Sequence, residues 1–191
     1  MTAVRDGDFL AVDFETTGTN PRRAEPLSAG WVAVVGGRIR MATAGYAVLS
    51  TDTVVPVASM PIHRLLPTDL AVGTSPAALA EALRTALSGR WLVAHGAGLE
   101  LAALKRLGLR WRRRDTIDTL QLARHLEGEH PDRPLTLSAL SERYGLPAHR
   151  PHHAFGDSMS TAQLLLALVA RMEIDRRRLT VDDLRHLGRP A

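Results

Sequence analysis

The chain has 191 residues and a formal net charge of +4, and its composition, 45% hydrophobic and 23% charged, is typical of one globular domain with a sizeable core. Cysteine is absent from the sequence, which excludes disulfides and thiolate metal sites, so any metal must be held by carboxylates, histidines and water. Residues 1–8 are charged, unlike a signal peptide, and no apolar run is long enough to cross a membrane. We therefore expect a cytoplasmic protein that does not contact a membrane.

The first half of the chain is predicted to form strands and one helix. An apolar run at 9–14 indicates a buried first strand, and Gly36-Gly37 is a typical hairpin turn between two longer strand-like segments. Residues 56–76 include four prolines and are predicted to be a loop-rich crossing. Ser75 and Pro76 are typical of a helix N-cap and first helical position. The predicted elements are strands at 9–14, 27–35 and 38–49 and a helix at 76–87.

The second half is predicted to alternate one short strand with helices. Residues 91–94 form a short apolar run, and apolar residues then recur with helical spacing. A strand hairpin followed by alternating strand and helices indicates an α/β sandwich with a mixed sheet. The predicted elements are a strand at 91–94 and helices at 98–107, 116–126, 137–144, 154–172 and 181–187.

Two carboxylates lie on a face of the first strand that otherwise belongs to the core. Because side chains alternate along a strand, Asp13 and Glu15 share a face with Ala11. Two like charges at the end of a buried strand repel each other and are costly to desolvate unless a cation lies between them. The turn that follows, residues 16–18, offers backbone N–H groups to a ligand. The alternative is a strand that simply ends in a polar loop, since Asp-x-Glu is a common pattern.

Another carboxylate lies on the apolar stripe of the long helix at 154–172. Asp157 begins that stripe, so it faces the core near the N-terminus of the helix. The helix dipole would stabilise a carboxylate there, which is a purely structural explanation. His152 stands five residues earlier, just outside the helix, and its imidazole can approach the same spot. The members of the stripe are Asp157, Thr161, Leu164, Leu165 and Leu168.

The segment at 95–107 repeats the pattern. Glu100 shares a helical face with Ala103 and Leu104 and points inward, although a first-turn dipole partner is a structural alternative. Together, four carboxylates and one histidine come from three separated segments. Such an oxygen-rich set suits Mg²⁺ or Mn²⁺ rather than a structural zinc ion. Four acids can hold two such ions about 3.5–4 Å apart, an arrangement that promotes phosphodiester cleavage.

The three segments read Phe-Leu-Ala-Val-Asp-Phe-Glu-Thr-Thr-Gly at 9–18, Val-Ala-His-Gly-Ala-Gly-Leu-Glu at 93–100 and His-His-Ala-Phe-Gly-Asp at 152–157. They resemble the motifs of the DEDDh 3′–5′ exonucleases, the DnaQ-like group within the ribonuclease-H-like fold. Ile62-His63 and residues 117–120 are similar to connecting segments of that family. The resemblance runs from about residue 8 to 170. It implies a three-layer sandwich: a mixed five-stranded sheet, its first three strands antiparallel, with helices on both faces. It also implies an exonuclease domain at 1–172 and a C-terminal extension with a short helix at 173–191.

The resemblance implies a role for each acidic residue. Asp13 and Asp157 would bind the first of two Mg²⁺ or Mn²⁺ ions, and Glu15 and Glu100 would complete the site directly or through water. His152 would be the general base that deprotonates the attacking water, since imidazole titrates near neutral pH. The residues expected to contact substrate are Phe14, Thr16, Thr17, Gly18, His63 and His95.

The implied reaction is metal-dependent hydrolysis at the 3′ end of single-stranded DNA or RNA, releasing nucleoside 5′-monophosphates. A homodimer or a polymerase-type assembly is compatible with the resemblance. The middle motif departs from the family pattern, because the family usually has aspartate where this chain has Glu100 and asparagine where it has Gly96. Glutamate keeps the charge but adds a methylene. The alternative is therefore a catalytically impaired nuclease-fold module that binds nucleic acid or nucleotide within a larger assembly.

A basic cluster surrounds Trp111. Lys105 is the only lysine in the chain and the other 23 cationic residues are arginines, which pair well with phosphate. A GC-rich genome would give the same bias, so overall basicity carries little weight. The local cluster is equally compatible with a solvated turn between helices and with a phosphate-contacting edge. Three arginines at 176–178 could contact nucleic acid, a partner or only water. The cluster comprises Lys105, Arg106, Arg110, Arg112, Arg113 and Arg114.

Overall fold

The computed structural model describes residues 2–51, 56, 60–175 and 179–190. Within them the strands form a sheet in the order β3-β2-β1-β4-β5. The first three strands are antiparallel, and β4 and β5 run parallel to β1. The predicted mixed sheet is therefore confirmed. The strands are β1 (Asp8–Thr16), β2 (Pro26–Val35), β3 (Arg38–Val48), β4 (Trp91–Ala94) and β5 (Thr116–Asp118).

The helices agree with the predicted order. Ser75 caps one of them, its hydroxyl accepting a hydrogen bond from Ala78 N–H at 3.2 Å, and Pro76 begins it, as the sequence indicates. The helices are α1 (Met60–His63), α2 (Pro67–Ala71), α3 (Pro76–Leu87), α4 (Gly98–Arg106), α5 (Thr119–Glu127), α6 (Leu137–Arg143), α7 (Ala154–Asp175) and α8 (Val181–Leu187).

Two segments differ from the sequence prediction. The helix expected at 116–126 begins only at Thr119, because residues 116–118 instead extend the sheet as β5 beside β4. A strand of three buried residues is too short to show its own periodicity, and only the pairing partner reveals it. The crossing at 56–76 contains the short helices α1 and α2. The side chain of Ile62 and the arginines at 176–178 lie outside the described residues.

Successive side chains of β1 supply two separate cores, one on each face of the sheet. Phe9 and Ala11 pack with the buried leucines of α7, whereas Leu10, Val12 and Phe14 pack with those of α3 and α4. Helices therefore cover both faces, as predicted. Each fully buried leucine contributes on the order of 2 kcal/mol to stability. Because Asp13 and Glu15 follow the register of Ala11, their carboxylates point toward the face that α7 covers.

The C-terminal residues fold back onto the sheet. Asp118 N–H at the end of β5 donates to Gly188 O at 2.7 Å, and Val4 N–H donates to Leu179 O at 3.0 Å. Leu184 of α8 is fully buried in the core that α7 forms. The predicted short helix thus shares the core of the preceding residues, and the division at residue 172 stays a prediction. In the described part of the chain, no helix is long and apolar enough to span a membrane.

Candidate active site

Three carboxylates meet at the end of β1. Asp13, Glu15 and Asp157 each offer an oxygen, and these oxygens lie within 4.8 Å of one another. Asp13 and Glu15 project together because they are two residues apart on a strand, and the first turn of α7 brings Asp157 to them. All three side chains are partly exposed, so a ligand can reach them. The tertiary fold thus brings together residues 144 positions apart in the chain, from 13 to 157.

Gly30 of β2 allows this close approach. It is the cross-strand partner of Asp13, and a Cβ atom at Gly30 would lie 2.2 Å from Phe155 N and 2.3 Å from the carbonyl carbon of Ala154. The backbone at the start of α7 therefore rests directly on the sheet beside Asp13. The sequence analysis did not identify Gly30, because only the packing of α7 on the strand shows why a side chain is excluded there.

Glu100 extends the cluster from the other side. It is the third residue of α4 and is only 4% exposed. Its Oε2 atom has no hydrogen-bond partner among the described residues. A buried carboxylate oxygen without a partner is costly and is satisfied by a cation or ordered water. The pKa of Glu100 is raised to about 8, chiefly by burial; a main-chain hydrogen bond lowers it, and the charges of Asp118 and Glu15 raise it.

The other carboxylates are perturbed in the same direction. Burial raises the pKa of Asp13 well above its usual value, with the largest electrostatic contribution from Glu100. Burial and the Asp157 charge raise the pKa of Glu15 to about 7. Burial also raises the pKa of Asp157, although hydrogen bonds and charges from the His152 and His153 region oppose the shift. Four acids that resist ionising together are a suitable donor set for a divalent cation, and the all-oxygen chemistry fits Mg²⁺ or Mn²⁺.

His152 lies in the loop immediately before α7, and its side chain is exposed. Its main-chain N–H donates to Asp157 Oδ2 at 2.9 Å, and its φ angle is +55°, a left-handed conformation that is uncommon for a residue other than glycine. The next residue, His153, is half-buried, and its ring stacks on Tyr46 with centroids 4.6 Å apart. The hydrogen bond to Asp157 and the stacking of His153 on Tyr46 therefore fix the main chain of the loop that carries His152.

The loop before α4 is fixed by Asp118. The side chain of Asp118 accepts hydrogen bonds from Gly96 N–H at 2.8 Å, Ala97 N–H at 3.0 Å and Leu120 N–H at 2.9 Å. Through the last of these bonds Asp118 is also the N-cap of α5. Gly96 has φ +75°, in the region that glycine and asparagine tolerate best. Glycine at this position therefore preserves the loop conformation, and Asp118 supplies the anchor.

Two of the predicted substrate contacts are engaged within the protein. The Nε2 atom of His95 donates to Leu135 O at 2.9 Å and its Nδ1 atom lies 2.9 Å from Thr119 Oγ1, while burial lowers the pKa of the ring. His95 thus links the end of β4 to α5 and to the loop before α6. The Phe14 ring is buried in the core on the opposite face from the acidic cluster, so only its main chain is available to a substrate.

The other predicted contacts lie in the loop after β1 and in α1. Thr17 N–H donates to Glu25 O at 2.9 Å, so this donor is already paired, and the Thr16 hydroxyl donates to Gly18 O at 2.7 Å. His63 is 5% exposed, and its Nδ1 atom accepts from Leu65 N–H at 3.1 Å. Burial lowers the pKa of His63, which favours its neutral form.

The sheet order and the acidic cluster at the end of its central strand are those expected of the ribonuclease-H-like fold. A family model described as exonuclease (RNase_T) matches residues 10–165, and the chain belongs to this exonuclease family. The predicted family is confirmed, and membership of it supports the expected enzyme class, a hydrolase of phosphodiester bonds. The expected ribonuclease-H-like fold is also confirmed.

Among sequence relatives, a PolC-type DNA polymerase III of Thermotoga maritima is 30% identical over 173 residues. The alignment covers 88% of this chain but only 12% of that polymerase. Among solved structures, exonuclease X in complex with 5′-overhanging duplex DNA has a TM-score of 0.71 at 22% identity, covering 94% of this chain and 99% of that one. The zinc-bound complex of Escherichia coli exonuclease I with single-stranded DNA has a TM-score of 0.75 at 15% identity, and the match covers 88% of this chain and 42% of that one.

Proposed function

We propose that this chain is a metal-dependent 3′–5′ exonuclease that acts on single-stranded nucleic acid and releases nucleoside 5′-monophosphates. The observation that carries the proposal is the meeting of three carboxylates within 4.8 Å at the end of a buried strand, with the unpaired Glu100 oxygen beside Asp13. A carboxylate cluster of this kind destabilises the fold unless it serves to bind cations. Membership of the exonuclease family supports phosphodiesters as the substrate.

Asp13 and Asp157 would hold one Mg²⁺ or Mn²⁺ ion, and Glu15 and Glu100 would complete a site for two. When bound, such ions stabilise the negative charge that develops on the attacking and leaving oxygens of a phosphodiester. β1 and the first turn of α7 hold the three clustered acids, and the first turn of α4 would bring Glu100 to the same site. The partial burial of these groups also excludes bulk water, which strengthens each interaction with the substrate phosphate.

His152 supplies the proton acceptor. Its exposed imidazole would take a proton from the attacking water, the water oxygen would bond to phosphorus, and the bond from phosphorus to the 3′ oxygen of the remaining strand would break. That 3′ oxygen then takes up a proton, and the released nucleotide carries a 5′-phosphate. The hydrogen bond from His152 N–H to the Asp157 carboxylate ties the position of the base to the metal-binding cluster.

The substrate end would lie between the loop after β1 and the start of α4. Thr16, Gly18 and the Phe14 main chain would face it on one side, and His63 would approach from α1. His95 and Thr17 would support these contacts through their bonds within the protein. Two structurally similar exonucleases have been solved with DNA, which supports a nucleic-acid strand as the occupant.

The assembly in which the chain works also belongs to this proposal. The similarity to a small part of a polymerase supports a polymerase-type assembly, and a homodimer is the other predicted state. Light scattering of the purified chain, alone and mixed with a replicative polymerase, distinguishes a monomer, a dimer and a complex. The cytoplasmic location stays a prediction.

The activity is tested with 5′-labelled single-stranded DNA and RNA of the same sequence, incubated with Mg²⁺ or Mn²⁺. We expect a ladder of products shortened from the 3′ end and release of nucleoside 5′-monophosphates, both abolished in Asp157→Asn. Glu100→Asp should remain active and Glu100→Gln should not, since the proposal requires a charge at that position. If neither metal supports product formation while the strand still binds, the chain is an impaired nucleic-acid-binding module and the proposal is wrong.

A further inference from the structure

A concave surface of about 1190 Å³ runs along α4, away from the acidic cluster. It begins at Gly98, two residues before Glu100, and ends at the loop that follows α4. By the helical rise of 1.5 Å per residue, α4 gives this groove a length of about 12 Å. That length spans about three phosphates at the roughly 3.4 Å spacing of one strand of a duplex, and fewer of an extended single strand. The groove therefore starts two residues from Glu100 along α4 and is long enough for about two or three nucleotides.

The groove carries positive charge along its whole length, and none of the described residues that line it is acidic. Lys105 and Arg110 are exposed on it. A nucleic-acid strand is the chemical complement of such a surface, because each phosphate neutralised by a cation releases bound counterions. The cationic residues along it are Arg22, Lys105, Arg106, Arg110 and Arg113.

The wall of the groove nearest the site is held in place by Arg106. Its Nε atom donates to Glu25 Oε1 at 2.9 Å and its Nη1 atom donates to Pro21 O at 3.1 Å, so the loop after β1 is tied to the last turn of α4. Pro21 also approaches the start of the helix, with its Cγ atom 3.7 Å from the position of a Cβ on Gly98. The groove is therefore a built feature of the fold.

Trp111 supplies an aromatic surface in the same groove. Its indole N–H donates to Asp115 O at 3.1 Å, which fixes the orientation of a ring that is only partly buried. Cations that follow a backbone, combined with an aromatic ring on which bases stack, are the usual means of binding a single strand without sequence preference. This combination favours a single strand over a duplex, whose bases are already stacked.

We propose that the groove along α4 binds the single-stranded part of the substrate that lies 5′ of the nucleotide being removed. This inference rests on the proposed exonuclease function. It assigns the basic cluster around Trp111 to phosphate contact rather than to a solvated turn. It also predicts that the groove binds only strands long enough to extend into it from the active site. A dinucleotide is too short to reach the groove.

The test compares two double variants of equal charge in an Asp157→Asn background. Lys105→Ser/Arg110→Ser removes two cations from the groove, and Arg38→Ser/Arg40→Ser removes two exposed cations from β3, near the hairpin at the far end of the sheet. Binding of a labelled single strand of about 12 nucleotides is measured by fluorescence anisotropy at several salt concentrations. We expect the groove variant to bind roughly 10- to 30-fold more weakly at 0.1 M salt and to lose about 1.4 from its salt-dependence slope, while the control is unchanged.

In the background with Asp157 intact, the groove variant should raise KM for the 12-nucleotide strand and leave hydrolysis of a dinucleotide unchanged. Equal salt slopes for the two double variants, or an equal loss on the dinucleotide, would overturn the proposal. If the unmodified chain cleaves no strand, the exonuclease function fails, but a difference between the two slopes still supports the groove. Circular dichroism of each variant confirms that the fold is retained.

Discussion

Replacing Gly30 with alanine tests whether the contact between β2 and the start of α7 positions the active site. The added Cβ would lie 2.2 Å from Phe155 N, whereas an ordinary contact needs at least 3.4 Å, so the helix start must move by about 1.2 Å. Both partners are backbone and cannot rotate away. Overpacking of this kind costs about 1–3 kcal/mol of stability. A displacement of about 1 Å at a catalytic group lowers the rate roughly 100-fold.

The assay is kcat for release of nucleotide from a single strand, measured below the unfolding temperature of each variant. Gly45→Ala in β3 is the matched control, because its Cβ would meet the Trp31 ring at 2.1 Å and Trp31 packs on the opposite face from α7. We expect both variants to be destabilised, but only Gly30→Ala to lose kcat. Full activity in Gly30→Ala, or an equal loss in Gly45→Ala, would refute the view that this contact places Asp157 beside Asp13.

Three further predictions follow from the contacts around the cluster. Asp118→Ala removes the acceptor of three main-chain N–H groups, of which that of Ala97 is buried and the other two are partly buried, and should lower the free energy of unfolding by about 2–3 kcal/mol, measured by urea denaturation; a loss below about 1 kcal/mol would contradict the anchoring role. Tyr46→Ala removes the ring stacked on His153 and should lower kcat, whereas Tyr46→Phe keeps the stack and should restore it; equal loss in both would argue against a role for stacking. In metal-free protein the pKa of Glu15 is about 7 and that of Glu100 about 8, against 4.5 in an unfolded chain. The folded state then binds more protons than the unfolded state across this range, so stability should fall as pH rises from about 4.5 to about 8. The loss of stability is measured from urea denaturation midpoints at the two ends of this pH range, and it should be smaller in Glu100→Gln. An equal loss in that variant would mean that Glu100 does not titrate as inferred.

Much of the site could be predicted from the sequence because its signals are local. Strand alternation puts Asp13 and Glu15 on one face of β1, and helical spacing puts Asp157 and Glu100 on inward-facing stripes. In the structure Glu100 is buried and the other three acids meet. The capped start of α3 at Ser75 is local as well. Each of these features depends on residues within a few positions of one another, so composition and periodicity are sufficient to reveal it.

Other features depend on partners that are distant in sequence, and only the tertiary structure decides them. Residues 116–118 form a strand because β4 is available to pair with them. His95 has both ring nitrogens occupied because α5 and the loop before α6 lie beside it. Gly30 is required because α7 approaches within contact distance of the main chain. The sequence alone determined which residues carry the acidic charge and on which faces they lie. The fold determined how closely those residues approach, because the cost of burying their charges together is offset only by long-range packing.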